Sequence, residues 1–484
     1  MRPKIELLDG ALVKCILDEA FELLETVGTK VGSAEARELL SSAGARLEDS
    51  TIRLPRVLVR RALESVPREF SLYTRSCECA VHYGGAHVHF DPGSSCLNIL
   101  DSGTQEPRPA KSADLIRMVQ VTEMLPEFAA QSTAMVCNDV PSEIGDWYRL
   151  LLVLWYSDKP VITGAFNIPT LQTMLELLVA DAGGLEQLKH KPRGVFDVCP
   201  SPPLNWSEFA SQNMIELARA GVPAQMVSMP LAGATAPVTL AGAIVQHAAE
   251  CLAGITIHQL ANPGAPVVWG GAPAIFDMRT GNTPMGAIET AMLDMGCAQI
   301  GKSLGLPTHG YLVASDSRQL DAQAGVESGG SALLGALAGI NMISGAGMLD
   351  FLACQSIEKL VIDADAIASA QRLLAGIEPR GETLALDAFA QTGLHGDFLK
   401  LKETRALFRR EQHFPSAVTD RRSEPDGLDI LTRARRRVNE LVNGYQRPQL
   451  MPEREDRLLA IASREAKRVG LDHLPGIDVP VPSA

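Results

Sequence analysis

Over the first 70 positions, Leu12, Ile16, Ala20, Leu23 and Leu24 recur at helical spacing. Ser33, followed by Glu35 and Glu38, opens a second helix with an acidic first turn. The period shortens between residues 71 and 105. Val81–His82–Tyr83, the Gly84–Gly85 turn, Val88–His89–Phe90 and Leu97–Asn98–Ile99 predict short antiparallel strands. Pro107 and Pro109 close this region before a helix that begins near Ser112.

Beyond residue 111 apolar runs alternate with helical stretches every roughly 30 to 40 residues, the spacing of repeated βα units. Strands are predicted at 129–136, 161–166, 195–199, 224–229, 266–269, 311–314 and 341–344, with an eighth between Met348 and Gln355. No glycine-rich dinucleotide turn follows the first of them. The pattern therefore predicts a closed α/β barrel, a (β/α)8 TIM barrel, rather than an open doubly wound sheet. Residues 1–110 read as an N-terminal helical and hairpin extension, 111–400 as the catalytic barrel and 401–484 as a charged helical C-terminal tail.

Composition agrees with helices packed on parallel strands: 46% of residues are hydrophobic but only 5% aromatic. The net charge of −13, with 44 basic against 57 acidic residues, argues against a nucleic-acid partner. Nine scattered cysteines form no CxxC pair, and neither a signal core nor a membrane span stands out, so a reduced cytoplasmic setting is expected.

Several motifs are weaker than they look. Gly296 to Ser303 fits the GxxxxGKS phosphate loop, yet Ile288, Met292 and Met295 before it run at helical spacing. His82, His87 and His89 invite a metal reading but lie outside the predicted barrel, and His247 with Glu250 reads as a buried hydrogen-bonded pair. No metal site is expected. The segment after the strand at 311–314 carries more chemistry. Asp316, Asp321, Gln323 and Glu327 crowd the catalytic face, where they form a candidate polar wall.

Met229 to Gly242, reading MPLAGATAPVTLAG, joins Gln259 to Pro266, Asp277 to Gly281, Ser315–Asp316–Ser317 and Gly345 to Leu349 in one recognisable set. In these segments the chain resembles the trimethylamine methyltransferase family, which includes glycine betaine methyltransferases, from about Gly84 to Arg421. Family members that act on trimethylamine carry pyrrolysine near the end of the strand before Asp316. Only standard residues occur here, and the understood relatives without pyrrolysine use quaternary amines. The resemblance thus implies methyl transfer from a betaine-like quaternary amine to the Co(I) of a corrinoid (cobalamin) carried by a separate partner protein, with no tightly bound cofactor. It also implies a homo-oligomer. The stretch from His395 to Arg405 departs from the family pattern and leaves the amine open.

A quaternary nitrogen leaves neutral, so the implied reaction needs position and desolvation rather than an acid. Aromatic faces suit such a cation. Phe166, Trp206, Trp269, Phe276, Tyr311 and Phe351 lie near predicted strand ends, and Arg279 or Arg318 could hold a substrate carboxylate. The alternatives are a barrel that binds amines without turning them over, a different methylated amine, and an unrelated metal-dependent hydrolase.

Overall fold

The computed structural model describes residues 2–394, 396–422 and 427–477, so His395 falls outside the described residues. Its apolar runs form eight short strands: β1 (His89–Pro92), β2 (Gln131–Ser132), β3 (Val161–Thr163), β4 (Gly194–Val198), β5 (Ala224–Ser228), β6 (Val267–Gly271), β7 (His309–Tyr311) and β8 (Met342–Ala346). β2 to β6 pair in parallel in chain order. A parallel bridge from Trp269 to Thr308 carries the ladder from β6 to β7. β7 pairs with β8, and β8 with β1. The ring closes where Ala129 N donates to Phe90 O at 3.0 Å and Cys96 bridges Met135.

Helices α1 (Ser112–Glu123), α2 (Gly145–Tyr156), α3 (Ile168–Ala182), α4 (Glu208–Ala220), α5 (Leu240–Ala261), α6 (Ile288–Ser303), α7 (Ala322–Ala338) and α8 (Ile357–Leu374) follow the eight strands in turn. This is the (β/α)8 barrel expected. Two expectations about its edges need correction. The barrel begins at β1, before residue 111, and its last helix ends at Leu374, well short of 400. Val88–Phe90 is not an antiparallel hairpin arm; it feeds β1, whose partner lies some 250 residues later, a pairing no local pattern reveals. Met348–Leu349 instead turns back on Cys354–Gln355 outside the ring.

The hairpin that does form pairs Phe70–Tyr73 with Cys79–Tyr83. Its Leu72, Val81 and Tyr83 pack with Ala130, Ile162, Val195, Val268 and Met342, and so plug the N-terminal end of the barrel. Beside the plug, Asp181 of α3 accepts from Arg75 Nε and Arg193 Nε, each at 2.7 Å, all three side chains being buried.

α5 is largely apolar and is the one described helix long and apolar enough to cross a membrane, but most of it is buried inside this fold. Its small residues admit close neighbours: a Cβ at Gly254 would lie 2.3 Å from the Trp206 ring. N-terminal helices Gly10–Thr26 and Arg56–Ser65 cover its outer side. The phosphate-loop match lies within α6, where Gly301 gives way to the Trp269 ring. At the C-terminal end, Ile430–Gly444 packs on α8 and α1, and Pro452–Arg468 on α3.

Candidate active site

Polar residues interrupt otherwise apolar strands at Asp91 in β1, Asp197 in β4, Gln225 in β5, His309 in β7 and Ser344 in β8. Side chains alternate across a strand. Val195 belongs to the plug, so Asp197 and Cys199 face the same interior, and Val268 sets Gly270 there likewise. Exposure rises along β4 from buried Val195 to half-buried Asp197 to exposed Cys199, so the interior opens at the C-terminal face.

Two hydrogen-bonded chains line this interior. His309 Nε2 lies 3.0 Å from Ser344 Oγ, which donates to Asp91 Oδ1 at 2.6 Å. Gln225 Nε2 donates to Asp197 Oδ1 at 2.7 Å. Because Ser344 donates its hydroxyl proton to Asp91, it accepts from an Nε2–H tautomer of His309, which leaves His309 Nδ1 a bare acceptor. That nitrogen and Asp91 Oδ2 are buried without a protein partner. A Cβ at Gly270 would lie 2.9 Å from His309 Cβ and Nδ1, so glycine there makes room for the ring. Above them, Tyr311 OH accepts from Ser94 N at 2.8 Å and reaches Met348 Sδ at 3.0 Å.

Burial dominates the electrostatics. It pushes the Asp197 carboxyl up to about 7. Burial and the neighbouring Asp197 raise Asp91 well above the ordinary range, while burial lowers His309 to about 3 and keeps it neutral. Two carboxyls short of compensation and unsatisfied acceptor atoms make a site that gains from a bound cation.

The loops above the barrel hold the residues singled out in the sequence. Asp316 accepts from Met285 N at 2.7 Å and Gly286 N at 3.0 Å, and burial raises it to about 6. Glu327 accepts from Ser315 Oγ, Asp316 N and Gln323 Nε2 at 2.6, 2.9 and 2.9 Å. These three residues come together as a bracket that ties the loop after β6 to the loop after β7. Asp321 does not join them. Exposed, it caps α7 through Ala324 N at 3.1 Å. Asp321→Ala should cost about 1 kcal/mol in urea denaturation.

The aromatic candidates divide. Tyr311 faces the interior, Phe166 stands exposed at the end of β3 with Arg149 over its ring at 5.3 Å, and Phe276 and Phe351 are half-buried in mouth loops. Trp206 and Trp269 are corrections: both are buried on the outer side of the barrel wall, their indole N–H groups donating to Glu250 O and Cys297 O. An outward strand position is as apolar as an inward one, so composition could not separate them. Arg279 and Arg318 lie at the mouth, already paired with Asp277 at 2.8 Å and Asp350 at 3.0 Å. His247 Nε2 meets Gly270 O at 3.1 Å, and Glu250 accepts from Leu204 N and Ser228 Oγ. Among the described residues no His, Cys, Asp and Glu are grouped in metal-holding geometry.

Backbone strain gathers at the same face. Val313 after β7 has φ +64°, and Asp350, Phe351 and Leu352 after β8 have φ +50°, +54° and +71°. Such conformations cost of order 1–3 kcal/mol each and concentrate where function demands them. Sequence reading missed Asp91, Asp197 and His309. The available signal was a charged or polar residue inside a strand otherwise built of Val, Phe and Gly.

The model of the trimethylamine methyltransferase family matches residues 1–470. A trimethylamine methyltransferase of Desulfitobacterium hafniense is 30% identical over 440 residues, which cover 90% of this chain and 88% of that one. A second from Methanosarcina mazei is 31% identical over 460 residues, 90% of each chain. A glycine betaine methyltransferase of Desulfitobacterium hafniense is 28% identical over 475 residues, 97% of this chain and 98% of its own. Among solved structures, the monomethylamine methyltransferase of Methanosarcina barkeri superposes with a TM-score of 0.52 at 11% identity, over 97% of this chain and 89% of that one, a likeness of fold alone. On the family match over nearly its whole length and these relatives, the chain belongs to the trimethylamine methyltransferase family.

Proposed function

We propose that this protein removes a methyl group from a quaternary, betaine-type amine and passes it to the corrinoid of a separate protein docked over the barrel mouth. The single observation that carries the reading is the pair of under-compensated carboxyls, Asp91 and Asp197, inside a barrel that opens at its C-terminal face. The corrinoid supplies the nucleophile, a Co(I) centre that accepts the methyl as the C–N electron pair stays on nitrogen. The amine leaves neutral, so no proton donor is required, in keeping with His309 held neutral.

The chain's own residues bind and orient. Asp91 and Asp197 draw the ammonium into the interior, and Tyr311 lines its path. The Asp316–Glu327 bracket fixes the loops that shape the entrance. Exposed Phe166, Met229, Val238 and Met278 leave an apolar rim at strand-end loops, which supports docking of a protein that carries the acceptor. Arg279 or Arg318 would take a substrate carboxylate by exchanging it for Asp277 or Asp350. Nine unpaired cysteines support work in the cytoplasm.

A thermal-shift screen tests substrate class. Glycine betaine, proline betaine, carnitine and choline form the quaternary arm, and trimethylamine the tertiary one. Stabilisation by a quaternary amine, about 2.7 kcal/mol at a hundredfold excess over Kd, and not by trimethylamine is expected. Failure of every quaternary amine to methylate a Co(I) corrinoid protein in a spectroscopic assay would overturn the reading.

A further inference from the structure

The segment from Ile377 to Glu411 is built unlike the rest of the chain. Its two helices, Leu386–Thr392 and Lys402–Glu411, bury no side chain at all. Eight large apolar side chains nevertheless stand exposed between Ile377 and Phe408, among them Ile377 at 98%, Leu394 at 93%, Leu384 at 83% and Leu399 at 76%. A solvated linker has no use for such residues, and a folded surface rarely gathers them.

The segment is an arm with a fixed root. Arg372 Nη1 donates to Gly376 O at 2.9 Å and Nη2 to Glu411 O at 3.0 Å, so one guanidinium holds both ends together. The root lies away from the mouth. α8 starts at the strand C-termini, where Lys359 Nζ reaches Val313 O, and ends where Gln371 reaches Glu127 O on the approach to β2. A protein docked over the mouth therefore has no need of the arm's root.

We infer that this arm is the contact surface for a second copy of the same chain, arm against arm across a two-fold axis. Size and charge both support this occupant. A stable interface takes about 20–30 residues from each side, and the arm offers a stretch of that order with apolar side chains throughout. Its six basic and six acidic residues cancel, whereas the chain as a whole carries −13. Two strongly acidic chains meet with least repulsion where each is locally neutral. An isologous pairing also buries the same patch on both copies, which closes the assembly.

Sedimentation velocity on the full-length protein at micromolar concentration is the test, with Leu386→Asp/Leu399→Asp as the variant. Both side chains are exposed in the single chain, so the fold should survive, and an unchanged circular dichroism melt of the barrel checks this. The wild type should run at an even multiple of 51.9 kDa and the variant at 51.9 kDa. Trypsin should then cut at Lys400, Lys402 and Arg405 in the variant far faster than in the wild type. A monomeric wild type, or a variant that keeps the wild-type mass, would overturn the inference. So would protection of the arm only by the corrinoid protein or by lipid vesicles.

Discussion

Asp197→Asn should lower kcat/KM for the proposed quaternary-amine substrate by roughly 100-fold, with most of the loss in KM. A carboxylate about 5 Å from a cation, at an effective dielectric near 20, contributes about 3 kcal/mol, which is about two decades in affinity. The pH profile makes the prediction specific. With its carboxyl pushed up to about 7 in the free protein, Asp197 must lose a proton before it attracts the ammonium. KM should therefore climb about tenfold per unit as pH falls below 7, level off above it, and become flat in the variant. Stability should move the other way. In the unfolded chain the carboxyl ionises near 3.8, while the folded protein holds the proton to about 7, so stability is lost as pH rises across that window. The ligand-free variant should thus melt higher than the wild type at pH 8. A profile that keeps its acid limb in Asp197→Asn would sink the assignment, and a lower melting temperature would point to damage instead.

Asp181→Leu should cost about 3–5 kcal/mol of stability, the largest loss expected from any one substitution away from the mouth. Burial alone would raise this carboxyl, but the guanidinia of Arg193 and Arg75 outweigh that and hold it below the ordinary range. Removing it leaves two buried guanidinium groups facing each other without a counter-charge. They still hold backbone partners: Arg193 donates to Tyr73 O and Asp158 O at 2.8 and 2.9 Å, and Arg75 to Ser157 O at 3.0 Å. Those carbonyls stitch the plug hairpin to the barrel, so the loss should appear as a looser N-terminal end. Urea denaturation measures it, and hydrogen exchange at residues 70–83 locates it. The triple variant Arg75→Met/Asp181→Leu/Arg193→Met should recover part of the loss, because an apolar triad carries no desolvation cost. KM should hardly change, since the triad sits at the end opposite the mouth. Full stability in Asp181→Leu would mean that water already reaches the site.

Helical period and the repeat of βα units were legible in the residues themselves, because each depends on neighbours a few positions away. So was the crowding of Asp316, Gln323 and Glu327, which lie within one loop and one helix turn of one another, whereas the cap of α7 by Asp321 appeared only in the structure. The family was legible in the run from Met229 to Gly242. Closure of the ring was not, since β1 finds β8 some 250 residues later and the first strand looked like a hairpin arm. Nor was the inward face. Trp206 and Trp269 sit in strands as Tyr311 does, yet only the packing of the folded barrel shows which side chains point in. The two carboxyls belong to strands about a hundred residues apart; each becomes unusual only when the barrel removes it from water, and Asp91 also because Asp197 lies near it. Local sequence decides which elements form; long-range pairing decides which of their faces share a low-dielectric interior, and that sharing creates the site.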